Sequence, residues 1–81
     1  MPKARIRMPK ELEGLLASDW KHVLEEATLG AEDAEIARLY ILERMPQVDV
    51  AAEMSMDRST VSRRVEGILE KARRVAVKLE L

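Results

Sequence analysis

The chain has 81 residues, of which 47% are hydrophobic, 36% charged and 2% aromatic, and it contains no cysteine. This composition predicts one small all-α domain of four to five helices with an aliphatic core, and it excludes a disulfide framework or a thiolate metal site. Because no apolar run is long enough for a membrane span or a secretory signal, we expect a cytoplasmic protein without a membrane partner.

The net charge of −1 hides a segregation of charge along the chain. Residues 1–10 carry four basic groups and no acid, residues 11–57 carry three basic groups and twelve acids, and residues 58–81 carry seven basic groups and three acids. The segment charges are therefore +4, −9 and +4, which sum to −1. A basic C-terminal helix could dock on phosphates, although charges of this kind can also serve only to solvate helix faces.

A basic arm, residues 1–8, precedes two predicted helices within residues 9–28. Pro9 suits the first turn of a helix because its missing N–H costs nothing there. This first helix would place three leucines on one face, namely Leu12, Leu15 and Leu16.

The second helix is predicted from apolar residues spaced along one helical face. These residues are Trp20, Val23, Leu24 and Ala27. Ser18 or Asp19 could cap its first turn. Gly30 could adopt the left-handed conformation that ends a helix.

A supporting helix is predicted over residues 31–45. Three acids near its start and Arg44 near its end both suit the helix dipole; the acids are Glu32, Asp33 and Glu35. Its inward stripe consists of Ile36, Leu39 and Tyr40. We expect it to end before Pro46, because a residue that precedes proline is disfavoured in helical geometry.

Residues 47–64 have the spacing of a helix-turn-helix. The first helix, Gln47 to Met54, has small Ala51 where a second helix would cross it. Ser55 begins the turn and Met56 fills the angle after it. Asp57 follows, and its carboxylate could cap the second helix. The apolar Val61 lies one turn into that helix.

Residues 65–79 extend this second helix as one apolar seam. The seam begins at Val61, just after the turn, and continues through Val65, Ile68, Ala72, Val75 and Leu79. Such a seam also permits a second hypothesis, a helical protein-interaction module without its own DNA readout. Its partner would be RNA polymerase or a second copy of the chain bound through the C-terminal helix.

The outward face of the second helix carries the side chains that read bases in the major groove. These candidates are Arg58, Ser59, Thr60, Ser62 and Arg63. Phosphate contacts, which position a protein without specifying sequence, are predicted further along the helix, at Arg64, Lys71, Arg73 and Arg74. Gln47, at the start of the first helix, is a further candidate phosphate anchor. The predicted partner is therefore double-stranded DNA.

The stretch from Leu29 to Arg74 resembles region 4 of the sigma-70 family of bacterial initiation factors and the small phage or mobile-element regulators that share it. Within it, "LYILERMPQ" and "DRSTVSRRV" are similar to the family's supporting and recognition helices. The resemblance implies promoter binding in transcription regulation or initiation, and a contact with the β-subunit flap of RNA polymerase. Ser55 replaces the usual turn glycine, and Val48 occupies a usually charged position, which suggests that something covers it.

No nucleophile–base–orienter constellation is visible in the sequence, so we expect no enzymatic activity. His22 has no neighbouring ligand residue and is not expected to bind a metal. The acid pair Glu25 and Glu26 is better explained by solvation of a helix surface. We therefore expect no cofactor.

Overall fold

A computed structural model describes residues 8–81; residues 1–7, which make up most of the predicted basic arm, lie outside this range. The described chain consists of four α-helices and no strand, which confirms the predicted all-α fold. The helices are α1 (Ala17–Glu26), α2 (Ala31–Ala37), α3 (Gln47–Met54) and α4 (Arg58–Leu79). A 3-10 helix (Lys10–Leu12) precedes α1, and a π-helical turn (Arg38–Leu42) continues α2.

Helix α4 forms the axis of the domain. Its 22 residues span about 33 Å at 1.5 Å per residue, close to the longest dimension of 34 Å. The 3-10 helix, α1, α2 and α3 all pack against it. The core therefore lies between α4 and the rest of the chain.

The predicted seam of α4 is buried within the domain. Four of its residues are at most 1% exposed, namely Val61, Val65, Ile68 and Ala72. Leu69 and Ala76, which the predicted seam omitted, are buried as well, whereas Val75 and Leu79 are half-buried. Because the chain itself covers this seam, a second copy or another protein would have to bind a different face of α4.

The predicted helix from Pro9 through the three leucines is wrong. Its helical part is only the 3-10 helix, and Gly14 then adopts a positive φ of 81°. This turn separates the leucines: Leu12 is buried, while Leu16 is 69% exposed.

Both predicted ends of the next helix differ from the structure. Leu16 is the N-cap of α1, and Asp19 lies inside the helix, where its carboxylate accepts a hydrogen bond from the Leu16 N–H at 3.4 Å. After α1, the left-handed residue is Thr28, with φ 55°. Gly30 instead has an extended backbone and is the N-cap of α2. The inward Trp20 and Val23 of α1 are buried as predicted.

The supporting helix ends earlier than predicted. The π-helical turn finishes at Leu42, and Arg44 adopts a left-handed conformation with φ 58°. The Met45 N–H then donates to the Leu39 carbonyl at 3.0 Å. This reversal brings Pro46 to the N-cap of α3.

The turn of the helix-turn-helix lies where the sequence predicts it. Ser55 is left-handed (φ 56°, ψ 46°), and the Met56 N–H donates to the Ala51 carbonyl at 2.9 Å. The Met56 side chain packs against the core. Asp57 is the N-cap of α4, but its carboxylate makes no capping hydrogen bond, so the predicted side-chain cap is wrong.

We predict that Ser55→Gly stabilises the domain. A left-handed conformation is strained for a residue with a Cβ atom and unstrained for glycine, so the expected gain is about 0.5–1 kcal/mol after the greater unfolded-state entropy of glycine is included. Denaturant titration followed by circular dichroism measures it. The matched control, Ser62→Gly inside α4, should lose about 0.5 kcal/mol; equal losses in both variants would contradict the prediction.

Candidate nucleic-acid interface

The turn at residues 55–57 leaves the N-terminal end of α4 facing solvent. We call residues 58–63 the recognition tip. Its inward residue, Val61, is fully buried against the core. Three outward residues are exposed, namely Arg58, Ser59 and Arg63. Two flanking residues, Thr60 and Ser62, are half-buried. The structure thus brings the five predicted base-reading residues together on one accessible surface.

The recognition tip is positively charged and uncompensated. Neither Arg58 nor Arg63 forms an ion pair with any carboxylate of residues 8–81. Because α4 has no side-chain cap, the N–H groups of its first turn add the positive end of the helix dipole. Both arginines can therefore turn toward an anionic or hydrogen-bond-accepting ligand without breaking an existing pair.

Acidic residues limit how far this surface extends along α4. Glu66 and Glu70 follow Arg63 at three and seven residues, so they lie near the same outward face, and both are exposed. Carboxylates there would repel phosphates and cannot donate to guanine. The surface suited to base contacts is thus confined to about the first two turns of α4.

Arg64 is held by two carboxylates at the start of α2. Its Nη2 lies 2.9 Å from Glu32 Oε1, and its Nη1 lies 2.8 Å from Asp33 Oδ1. The hydrogen bond to Asp33, followed by that to Glu32, raises the pKa of Arg64. The predicted phosphate contact of Arg64 would have to compete with this clamp, which fixes α4 relative to α2.

The remaining predicted phosphate residues differ in their surroundings. Glu70 accepts hydrogen bonds from Arg73 at 2.8 Å and from Arg74 at 3.2 Å. These bonds, with that from Arg73 the stronger influence, lower the pKa of Glu70 to about 2. By contrast, Lys71 is exposed and has no ion pair within the described chain. Of Arg73, Arg74 and Lys71, Lys71 is therefore the best placed to contact a phosphate.

The start of α3 presents one polar and one apolar side chain. Gln47 is half-buried, so its amide is only partly accessible to a phosphate. Val48 is 55% exposed, so residues 8–81 leave about half of its surface uncovered, and the expectation that something covers it stays a prediction.

Sequence reasoning missed the Arg64 clamp. The dipole of α2 already explained why Glu32 and Asp33 stand at the start of that helix. Their partner Arg64 lies 31 residues beyond Asp33 in the sequence. The available signal was an arginine on the flank of α4 rather than on its outward centre line. A spatial contact of this kind follows from how α2 packs on α4, which spacing alone does not define.

The described residues contain no group of side chains arranged to hold a metal ion. None of their helices has the length and apolar character needed to cross a membrane. Comparison of the chain with protein-family models, curated proteins and solved structures finds no match.

Proposed function

We propose that this protein binds double-stranded DNA sequence-specifically through its helix-turn-helix, and acts in transcription regulation or initiation in the manner of the sigma-70 region 4 domains that it resembles. One observation carries the proposal. The bend at Ser55 leaves the recognition tip open to solvent, with the guanidinium groups of Arg58 and Arg63 unpaired within the described chain.

The tip would enter the major groove with its first two turns. Arg58 and Arg63 would each donate two hydrogen bonds to guanine O6 and N7, and the serine and threonine hydroxyls would contact neighbouring base edges or phosphates. Lys71 and the start of α3 would contact the sugar–phosphate backbone, which fixes the register of the tip.

The charge distribution supports one orientation on the duplex. Residues 11–57 carry a net charge of −9, so this part of the chain, apart from Gln47 and the N–H groups at the start of α3, would be repelled from phosphates. The recognition tip contains two arginines and no acid. A duplex would thus be attracted to the end of the domain that carries the tip.

A second candidate function is a protein-interaction module, with RNA polymerase or a second copy as partner. It is favoured by exposed apolar side chains at the far end of α4, where Val77 is 53% and Leu81 50% exposed. These residues lie outside the buried seam, so they could contact a partner without unfolding the domain.

The salt dependence of DNA binding tests the proposed function. DNA affinity should fall linearly in a plot of log K against log salt concentration, with a slope of about −3 to −4.5 for roughly three to five phosphates. Fluorescence anisotropy of a labelled duplex at several salt concentrations measures this slope. An affinity that does not change with salt, or no DNA binding at low salt, would count against DNA binding and favour the interaction module.

A further inference from the structure

A shallow cleft lies among α1, the π-helical turn and the segment that leads to α3. We call it the aromatic cleft because it contains the single tryptophan and the single tyrosine of the chain. Its volume is about 380 Å³. Six side chains that are apolar or aromatic line it, those of Met8, Trp20, Tyr40, Ile41, Met45 and Pro46. None of them belongs to the recognition tip.

One cation, Arg44, lines this cleft. It is exposed and forms no ion pair with any carboxylate of residues 8–81. Residues 1–7 contain no acid that could pair with it. Its chain neighbour Glu43 instead accepts a hydrogen bond from Arg38 at 3.3 Å. The cleft therefore combines apolar walls with an uncompensated positive charge.

The cleft is formed where the backbone departs from regular α-helix. The π-helical turn supplies two of its walls, Tyr40 and Ile41, and such turns are found frequently at functional sites. The left-handed Arg44 then turns the chain, and Met45 and Pro46 after it also line the cleft. Arg38 bridges Glu35 and Glu43 across this turn, which holds its two ends together.

We propose that the aromatic cleft binds a small apolar monocarboxylate, with the hydrocarbon or aromatic part against Trp20 and Tyr40 and the carboxylate on the Arg44 guanidinium. A phosphate-rich ligand would leave the apolar walls unused. The basic residues 1–7 would meet repulsion from Arg44 rather than attraction. A molecule with one carboxylate and a compact apolar body matches both parts of the cleft.

Trp20 reports binding directly because it is the only tryptophan in the chain. We expect titration of the full-length protein with 3-phenylpropionate to give a saturable change in tryptophan fluorescence. The neutral analogue 3-phenyl-1-propanol should bind at least about fivefold more weakly, since it lacks the charge that Arg44 recognises. An unsaturable response to the acid, or equal affinity for acid and alcohol, would overturn the proposal.

Arg44→Asn removes the guanidinium while keeping a residue that tolerates the left-handed conformation. It should weaken binding of 3-phenylpropionate at least about fivefold and leave the alcohol unaffected. The matched control, Lys78→Asn, removes an exposed cation at the far end of α4 and should bind the acid like the parent protein. Melting curves verify that both variants are folded. Unchanged acid binding by folded Arg44→Asn would refute the carboxylate site, and it would leave the DNA proposal untouched.

Discussion

Val61→Asp should leave the domain largely unfolded at room temperature. The Val61 side chain is completely buried in the core, and none of the buried side chains in the described residues is polar or charged and able to pair with a carboxylate. Burying an unpaired charge costs several kcal/mol. The total stability of an 81-residue domain is about 4–12 kcal/mol, so one such substitution removes much of it. Circular dichroism should show loss of helix and of the cooperative thermal transition.

Val77→Asp is the matched control for this prediction. It makes the same chemical change in the same helix, but Val77 is 53% exposed, so the new carboxylate remains in water. Its stability should stay within about 0.5 kcal/mol of the parent protein, as for most surface substitutions. Similar melting curves for the two variants would show that Val61 is not an essential part of the core.

Arg58→Ala and Arg63→Ala should each weaken binding to the preferred DNA site by about 1–3 kcal/mol, which corresponds to roughly 5–150-fold in affinity. Each variant loses a donor pair that distinguishes guanine from the other bases. Selection from a random duplex pool should therefore yield a relaxed preference at one position of the site. The stability of both variants should be unchanged, since neither side chain is buried or paired within the described chain.

Two other variants separate base reading from general charge. Lys71→Ala should weaken binding to all sequences about equally, because a phosphate contact carries no base information. Lys78→Ala, at the opposite end of α4 from the tip, should have little effect on affinity or preference. If the arginine variants weaken all sequences equally and select the same site as the parent, the base-reading roles of Arg58 and Arg63 are refuted.

The parts of the fold that could be predicted are those fixed by local periodicity. The helix predicted from Gln47 to Met54, ended by the turn at Ser55, has the bounds of α3. The regular apolar seam likewise gave the length of α4. In both cases neighbouring residues along one helix define the pattern, so no knowledge of tertiary contacts is needed.

The helix ends were harder to predict, because several residues could serve the same role. Glycine was the expected left-handed residue at Gly30, yet Thr28 adopts that conformation. The leucines after Pro9 fit a helical face, but Gly14 turns the chain instead. Thr28 is left-handed against its local preference, whereas Gly14 follows the tolerance of glycine for positive φ, so the residue types alone did not show where the chain would turn.

At the candidate site, the sequence identified the side chains of the recognition tip but not their electrostatic surroundings. Spacing along the helix assigned Arg58 and Arg63 to bases and Arg64 to a phosphate, but it did not show which of them is already paired. The packing of α2 on α4 brings Glu32 and Asp33 to Arg64 and leaves the other two without an ion pair in residues 8–81. Which arginines remain available is therefore a tertiary property.

Helix α4 carries the proposed DNA-contact surface at one end and forms the core with the rest of the described chain. DNA binding at that end should therefore stabilise the whole domain against unfolding. A duplex present at a hundred times its dissociation constant would add about 2.7 kcal/mol to the unfolding free energy. Hydrogen exchange should then slow not only near Arg63 but also at Ala72 and Ala76, which lie several turns away and touch no nucleic acid.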